Sequence, residues 1–138
     1  MTTLQALEIP FYVGTNHAPG KLNGILRSSL DTETGKFTPP VPVADIKGPS
    51  FLALSPDGRF LYAAIEKDGG EVAAFKIQDD RSLLLLNSKP AGGKGTCHVW
   101  ADKGHVFASN YSGGNVTCLA LLPDGSLGEE LANIAFTG

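Results

Sequence analysis

Two segments of this chain share one pattern of apolar residues, turn residues and glycines, and this internal repetition limits the fold more than any other feature. Residues 49–65 align with residues 96–111 when one residue is deleted in the turn, and apolar residues then match apolar residues. Gly58 and Gly104 lie 46 residues apart, and Gly70 and Gly114 lie 44 apart. A period in the mid-forties is typical of an array built from one small supersecondary unit.

Each complete copy of the unit predicts four short strands. In the first complete copy they span roughly 50–55, 59–65, 71–77 and 82–89, and in the next roughly 97–101, 105–110, 115–121 and 127–135. A truncated copy opens the chain and predicts only three strands, near 10–15, 24–30 and 37–44. Four antiparallel strands at this period form the blade of a β-propeller.

The sequence therefore predicts an all-β fold, a β-propeller fragment of about three four-stranded antiparallel blades whose first blade lacks its innermost strand. The fragment spans 1–138, with blades at approximately 9–46, 48–92 and 95–138. The strands are apolar in runs, which indicates that both faces of each sheet are buried. Three blades leave two faces open, so we expect either self-association or missing C-terminal blades.

Turn residues support this strand map. Ser55-Pro56-Asp57-Gly58 joins the first two strands of a blade, where Pro presets φ and Gly accepts the left-handed position. Pro123-Asp124-Gly125 and Thr34-Gly35 form the corresponding turns between the third and fourth strands of their blades. The turn at 79–81 has no glycine, and we expect an Asp to take the left-handed position there, because Asp tolerates it better than most residues.

Composition excludes some partners. Eleven basic and fourteen acidic residues give a net charge of −3, and no basic patch stands out, so we expect no nucleic acid. Residues 1–10 do not resemble a signal peptide, and no apolar run is long enough to cross a bilayer, so we expect no membrane partner. Cys97 and Cys118 are predicted on strands separated by a third strand, which indicates reduced thiols and a cytoplasmic location.

Five motifs in this order carry a resemblance to a known family. They are Phe11–Thr15, Ser55–Tyr62, Gly95–His98, Ser109–Val116 and Pro123–Leu127. Together they resemble the N-terminal part of the lactonase-type seven-bladed β-propellers, which include the bacterial propeller form of 6-phosphogluconolactonase and the fungal 3-carboxy-cis,cis-muconate lactonizing enzyme. The resemblance covers essentially the whole chain, but only about three of the family's seven blades.

The resemblance implies acid/base opening or closing of a small-molecule lactone, with no metal and no other cofactor. In the muconate enzyme a His at the start of an inner strand is a proposed active-site residue, and His98 matches it. That enzyme's partner Arg and Glu residues come from later blades, so a complete site is not expected in one copy of this chain.

Strand parity places the candidate residues on one face of the array. The link that enters the first strand of a blade and the loop between its second and third strands lie at the same sheet edge. Four segments should therefore gather there: Thr15–Gly24, Glu66–Gly70, Lys94–His98 and Ser109–Gly114. The Ser-Pro-Asp-Gly turns should lie on the opposite face.

His98 is the candidate catalytic residue, because an imidazole can give or take a proton near neutral pH. Its repeat equivalent is Phe51, so the blade itself does not need a His there. The alternative is a histidine at the edge of the core, hydrogen-bonded to a neighbouring carbonyl. His17 and His105 are weaker candidates, and no cluster has the spacing of a zinc site, so we expect no metal.

The candidate substrate-binding residues are polar side chains of the same face: Thr15, Asn16, Lys94, Asn110 and Tyr111. Alternatives stay open for two of them. Asn110 could close the turn before Gly113-Gly114, and Lys94 could belong to a flexible link between blades. Trp100, on an inner strand, is predicted to be core between blades.

Three functions are compatible with these residues. The first is a lactonase, a carboxylic ester hydrolase resembling 6-phosphogluconolactonase in carbohydrate metabolism, incomplete as a single chain. The second is a carboxymuconate-type lactonizing cycloisomerase, which would share the fold and His98. The third is a non-enzymatic propeller fragment that acts as a binding or assembly module.

Overall fold

The computed structural model describes residues 7–16 and 21–137, which form eleven β-strands and no helix. The strands are β1 Glu8–Gly14, β2 Ile25–Asp31, β3 Val41–Ala44, β4 Pro49–Leu54, β5 Phe60–Ile65, β6 Glu71–Ile77, β7 Leu83–Pro90, β8 Thr96–Ala101, β9 His105–Asn110, β10 Asn115–Leu121 and β11 Leu127–Ala135.

The strands make three antiparallel sheets, each a meander in chain order. The first sheet holds β1–β3, the second β4–β7 and the third β8–β11. The first strands of the second and third sheets, β4 and β8, lie against each other at the inner end of the array. The predicted all-β fold, a propeller fragment of three blades, is confirmed.

Within residues 7–16 and 21–137, the first sheet has only three strands and no innermost one, as the sequence predicts. Its first strand, β1, lies against β4, just as β5, a second strand, lies against β8. The predicted strand at 37–44 is shorter in the structure: only Val41–Ala44 is a strand, with one isolated bridge between Leu30 and Phe37. Pro39 and Pro40 explain the gap, because proline has no N–H to give to a ladder.

Two apolar cores hold the three sheets face to face. One lies between the first and second sheets and includes Ile25, Leu61, Ala63, Ala73 and Phe75. The other lies between the second and third sheets and includes Tyr62, Ala64, Val72, Val99, Val106, Ala108 and Leu119. Alternate residues of β5 serve different cores, so the second sheet is buried on both faces, as its apolar runs predict.

Strand pairing corrects the alignment of the two complete copies. Leu52 pairs with Ala63, and its repeat equivalent Val99 pairs with Ala108. The turn between the first two strands is therefore two residues shorter in the third sheet than in the second, whereas the sequence alignment deletes only one residue. Phe107, rather than Ala108, then corresponds to Tyr62. A one-residue slip moves every side chain to the opposite face, so the ladder alone fixes which residues of β9 point toward the second sheet.

The predicted turn glycines take the left-handed conformation, with φ of 69° at Gly35, 70° at Gly58 and 86° at Gly125. In the glycine-free turn the left-handed residue is Arg81, with φ of 67°, and the expectation of an Asp is wrong. The carboxylate of Asp80 accepts hydrogen bonds from the N–H and hydroxyl of Ser82, which holds Asp80 ahead of the left-handed position.

The first sheet fastens this strained turn. The hydroxyl of Tyr12 donates to the carbonyl oxygen of Arg81 at 2.9 Å, and the guanidinium of Arg27 donates to the carbonyl oxygen of Asp80. A non-glycine residue in the left-handed region costs about 1–3 kcal/mol and persists only where its surroundings hold it.

No described residue covers the outer faces of the first and third sheets. Trp100 is 53% exposed and packs on Phe107 at a ring distance of 5.6 Å, so its prediction as a core residue is wrong here. The reason is topological: Trp100 points away from the second sheet, and no fourth sheet lies over it. On the first sheet, Phe11 and Phe37 make an edge-to-face pair.

Substitution of Gly125 should destabilise the fold. Its carbonyl accepts the buried hydroxyl of Tyr62 at 3.0 Å, and a Cβ at this position would lie 2.3 Å from the ring of Phe60. Backbone strain and overpacking together should lower the free energy of unfolding by about 2–4 kcal/mol in Gly125→Ala. Urea denaturation measures this change.

Gly35→Ala is the matched control, because its φ is also positive but a Cβ would meet nothing within 4 Å. It should cost only about 1 kcal/mol. Equal losses in the two variants would show that the contact between Gly125 and Phe60 does not matter.

Candidate functional site

The structure brings the described parts of the four predicted segments together at one edge of the array; residues 17–20 of the first segment lie outside the described residues. Thr15 and Asn16 share a cleft with Ser50 and Glu66. At Gly70, a Cβ would lie 2.4 Å from the carbonyl oxygen of Gly93, so the loop after Glu66 rests on the link before β8. The loop after β9 continues this row of contacts, since the N–H of Tyr111 donates to the carbonyl oxygen of Gly95.

Amide side chains fasten the link Ala91–Gly95. Asn110 donates to the carbonyl oxygen of Ala91 at 2.8 Å and accepts the hydroxyl of Thr96 at 2.7 Å. Asn115 and Asn133 both donate to the carbonyl oxygen of Gly92, at 3.1 and 2.9 Å. The link is therefore tied to the third sheet, which differs from the flexible link that the sequence suggests.

The backbone of this link turns its carbonyl groups inward. The carbonyls of Ala91, Gly92, Lys94 and Gly95 all accept hydrogen bonds from the chain. The N–H groups of Gly92–Gly95 have no acceptor among the described residues. Positive φ values of 67° at Gly92 and 66° at Gly95 produce this orientation. Unpaired backbone N–H groups beside the exposed side chain of Lys94 form a surface suited to an anion.

His98 lies at the inner end of the third sheet, against the second. Its imidazole packs on the ring of Phe51 with centroids 4.4 Å apart, and the side chain is exposed. Among the described residues the imidazole has no hydrogen-bond partner, so the alternative of a histidine bonded to a neighbouring carbonyl does not hold. A bulge between Thr96 and His98 interrupts the pairing with β9.

The other candidates differ in accessibility. Thr15 donates its hydroxyl to the carbonyl oxygen of Gly24, and Asn16 is exposed. Tyr111 is 86% exposed, whereas Asn110 is 1% exposed and its amide is occupied by the link. The predicted contact of Asn110 with substrate stays a prediction, and its structural alternative has the better geometry. The binding roles of Thr15, Asn16, Lys94 and Tyr111 also stay predictions.

Sequence reasoning missed the residues that organise the link, namely Thr96, Asn115 and Asn133. A usable signal was present: Asn115 and Thr117 lie at positions of β10 whose side chains point into the protein, and buried polar side chains need partners. The carbonyl of Gly92 accepts from Asn115, and the hydroxyl of Thr117 accepts from the amides of Asn110 and Asn115. At Gly93 a Cβ would lie 2.1 Å from the side-chain oxygen of Asn115, so only glycine fits there.

Among the described residues, His105 gives no catalytic arrangement. His105 contacts the carboxylate of Asp102 at 3.1 Å beside a turn, and hydrogen bonds from the Gly104 N–H and from His105 lower the pKa of Asp102. His17 lies outside the described residues. Within residues 7–16 and 21–137, no group of three or more His, Cys, Asp or Glu side chains could hold a metal ion, and no helix is long and apolar enough to cross a membrane.

Comparison with known proteins agrees with this fold. The family model for the seven-bladed β-propeller lactonases matches residues 10–138. The chain belongs to this lactonase family. A crystal structure of a Bacteroides fragilis protein superimposes with a TM-score of 0.86 at 33% identity, covering 95% of this chain and 37% of that one. A structure from Lactobacillus plantarum gives a TM-score of 0.83 at 26% identity and covers 96% of this chain and 38% of that one.

Two curated relatives of this chain carry an enzyme name. The 6-phosphogluconolactonase of Bacillus subtilis is 34% identical over 131 residues, which are 92% of this chain and 37% of that protein. The 6-phosphogluconolactonase of Formosa agariphila is 32% identical over 130 residues, which are 90% of this chain and 36% of that protein. The chain thus spans little more than a third of the length of these relatives.

Asn110→Ala should destabilise the protein. It would leave the Ala91 carbonyl and the Thr96 hydroxyl unpaired in a buried place, and each such group costs about 1–3 kcal/mol. We expect the free energy of unfolding to fall by about 2–4 kcal/mol in urea denaturation. Asn16→Ala, at an exposed position, should change it by less than about 0.5 kcal/mol. A stable Asn110→Ala variant would mean that the link does not depend on this amide.

Proposed function

We propose that this chain supplies the first blades of a propeller that hydrolyses 6-phosphogluconolactone. The observation that carries the proposal is the placement of an accessible imidazole, that of His98, on the same edge as a link with free N–H groups and Lys94. The two curated relatives named 6-phosphogluconolactonase support the choice of substrate. An anionic lactone needs both a proton-transfer group and an anion site.

In this proposal the imidazole of His98 transfers a proton between the attacking water and the lactone. The imidazole accepts a proton from the attacking water, whose oxygen bonds to the lactone carbonyl carbon. The bond between that carbon and the ring oxygen then breaks, and the ring oxygen takes the proton from the imidazolium of His98 to become a hydroxyl group, while the new carboxylic acid releases its proton to solvent. General acid–base help of this kind contributes about 10²–10⁴-fold to a rate.

Lys94 and the N–H groups of Gly92–Gly95 hold the phosphate end of the substrate. Backbone N–H groups of a glycine-rich link bind anions, and an ammonium adds charge. Asn115 and Asn133 act indirectly, since they fix the carbonyl of Gly92 and so the direction of the link. Tyr111, on the neighbouring loop, is available to the same ligand.

The assembly or binding role is retained as a second function for the isolated chain, because the outer faces are apolar. The third sheet presents Trp100, Phe107 and Ile134 on its free face. In the working protein we propose that further blades cover both faces, in line with the greater length of the relatives. The cycloisomerase alternative has no observation of its own in its favour. The free thiols of Cys97 and Cys118 suit a cytoplasmic location.

His98→Ala should lower kcat for 6-phosphogluconolactone hydrolysis at least about 100-fold, because proton transfer is lost. The measurement is a lactone-opening assay corrected for spontaneous hydrolysis, on the longest open reading frame that encodes this chain. His105→Ala is the control and should keep full activity, because His105 lies beside a turn with Asp102. An unchanged rate in His98→Ala removes the imidazole from the mechanism.

The isolated 138-residue chain should associate with itself, because its free faces bury apolar area on contact. Light scattering coupled to size exclusion should give a mass of a dimer or more. Trp100→Glu should shift the population toward monomer, whereas Tyr111→Glu, on an exposed loop, should not. A stable, well-folded wild-type monomer would contradict the proposal.

A further inference from the structure

A polar cleft lies between the first and second sheets on the candidate edge, beside the anion-binding link but separate from it. It has a volume of about 480 Å³ and is lined by Gly14, Thr15, Asn16, Gly48, Pro49, Ser50 and Glu66. Its floor is backbone rather than side chain: a Cβ at Gly14 would lie 2.1 Å from the carbonyl oxygen of Pro49. The two sheets approach so closely there that the cleft is shaped by main chain.

The position of each lining residue is fixed by the fold. The N–H of Glu66 donates to the carbonyl oxygen of Gly48 at 2.8 Å, and Gly48 has a φ of 69°. This hydrogen bond holds the end of β5 against the link before β4. The N–H and hydroxyl of Thr15 both donate to the carbonyl oxygen of Gly24. A cleft with such fixed walls loses little conformational freedom when a ligand binds.

Polar groups in the cleft are free to receive a ligand. Among the described residues, the carboxylate of Glu66 and the amide of Asn16 have no hydrogen-bond or ion-pair partner, and both side chains are exposed. The Thr15 hydroxyl has already donated its proton, so its oxygen can only accept. The cleft thus offers a carboxylate and a hydroxyl oxygen as acceptors, with one amide as a donor and acceptor.

Charge distinguishes this cleft from the link that carries Lys94. The cleft lining contains one carboxylate and no Lys or Arg, so it repels a phosphate or a carboxylate group. Alcohol hydroxyls, in contrast, donate to Glu66 and Thr15 and accept from Asn16. Ser50 connects the two places, because its hydroxyl donates to the carbonyl oxygen of Thr96, two residues beyond Lys94.

We propose that this cleft binds the hydroxyl groups of a neutral polyol or sugar-derived ring, with Glu66 as the principal acceptor. The choice of ligand class rests on the proposed function. The inference adds an orientation of the ligand: its hydroxyl-bearing ring enters between the first and second sheets, and its anionic end lies toward Lys94. Glu66 is then a specificity residue for the ring and not for the phosphate.

The test uses 1,5-anhydro-D-glucitol, a neutral six-membered ring with hydroxyl groups, and inorganic phosphate as the anionic probe. Titration of the ¹⁵N-labelled 138-residue chain with the neutral probe should shift the amide resonances of Gly14, Asn16, Ser50 and Glu66. Equilibrium dialysis with labelled probe gives the same affinity whatever the assembly state of the chain.

Glu66→Ala should weaken binding of the neutral probe about tenfold or more, because a hydrogen bond to a charged group is lost. It should not weaken binding of inorganic phosphate, which has no hydroxyl-bearing ring to place in the cleft. Glu129→Ala removes another exposed carboxylate, on β11, and should leave both affinities unchanged. Absence of shifts in the cleft, or equal affinity of Glu66→Ala and wild type for the neutral probe, would overturn the inference.

The outcome is separable from that of the proposed function. Binding of the neutral ring needs no lactone chemistry, so cleft binding without lactone hydrolysis would refute only the enzyme proposal. Lactone hydrolysis that persists unchanged while the cleft fails to bind the neutral ring would refute only the assignment of the cleft.

Discussion

Face-to-face packing of apolar sheets is the interaction on which this structure depends. The second sheet contributes alternate residues of β5 to two cores, with Leu61 and Ala63 on one side and Tyr62 and Ala64 on the other. No single sheet could be stable alone, because each would expose an apolar face to water. The positions of the loops follow from this stacking, since the sheets fan outward from the inner strands β4 and β8.

The candidate site is a consequence of that stacking rather than an addition to it. Links between blades and the loops between second and third strands lie at one edge, where neighbouring sheets approach closely enough to share hydrogen bonds. Asn110 and Asn115 reach across to the link before β8, and the Glu66 N–H reaches the link before β4. A buried amide without a hydrogen-bond partner costs free energy, so these amides keep their bonds to the carbonyl groups of the link. The bonds fix the backbone that carries Lys94 and leads to His98.

The edge divides into places of different charge. The link at Gly92–Gly95 offers N–H groups and an ammonium, with the carboxylate of Glu130 close to Gly92, whereas the cleft at Gly14–Asn16 has a carboxylate and no Lys or Arg in its lining. Between them, Phe51 supports the imidazole of His98 with an apolar surface. A ligand with an anionic end and a hydroxyl-bearing ring would be oriented by this difference alone, before any contact with residues outside the chain.

The sequence by itself determined the all-β class, the three-sheet array, most strand bounds to within a residue or two and the edge where candidate residues gather. These follow from period, turn glycines and apolar runs, which are local properties. Tertiary structure alone decided the two-residue difference in the turn of the third sheet, the left-handed Arg81, the exposure of Trp100 and the buried role of Asn110. Each of these depends on which groups of a neighbouring sheet lie within contact distance. The pattern of side chains along one strand does not determine that distance.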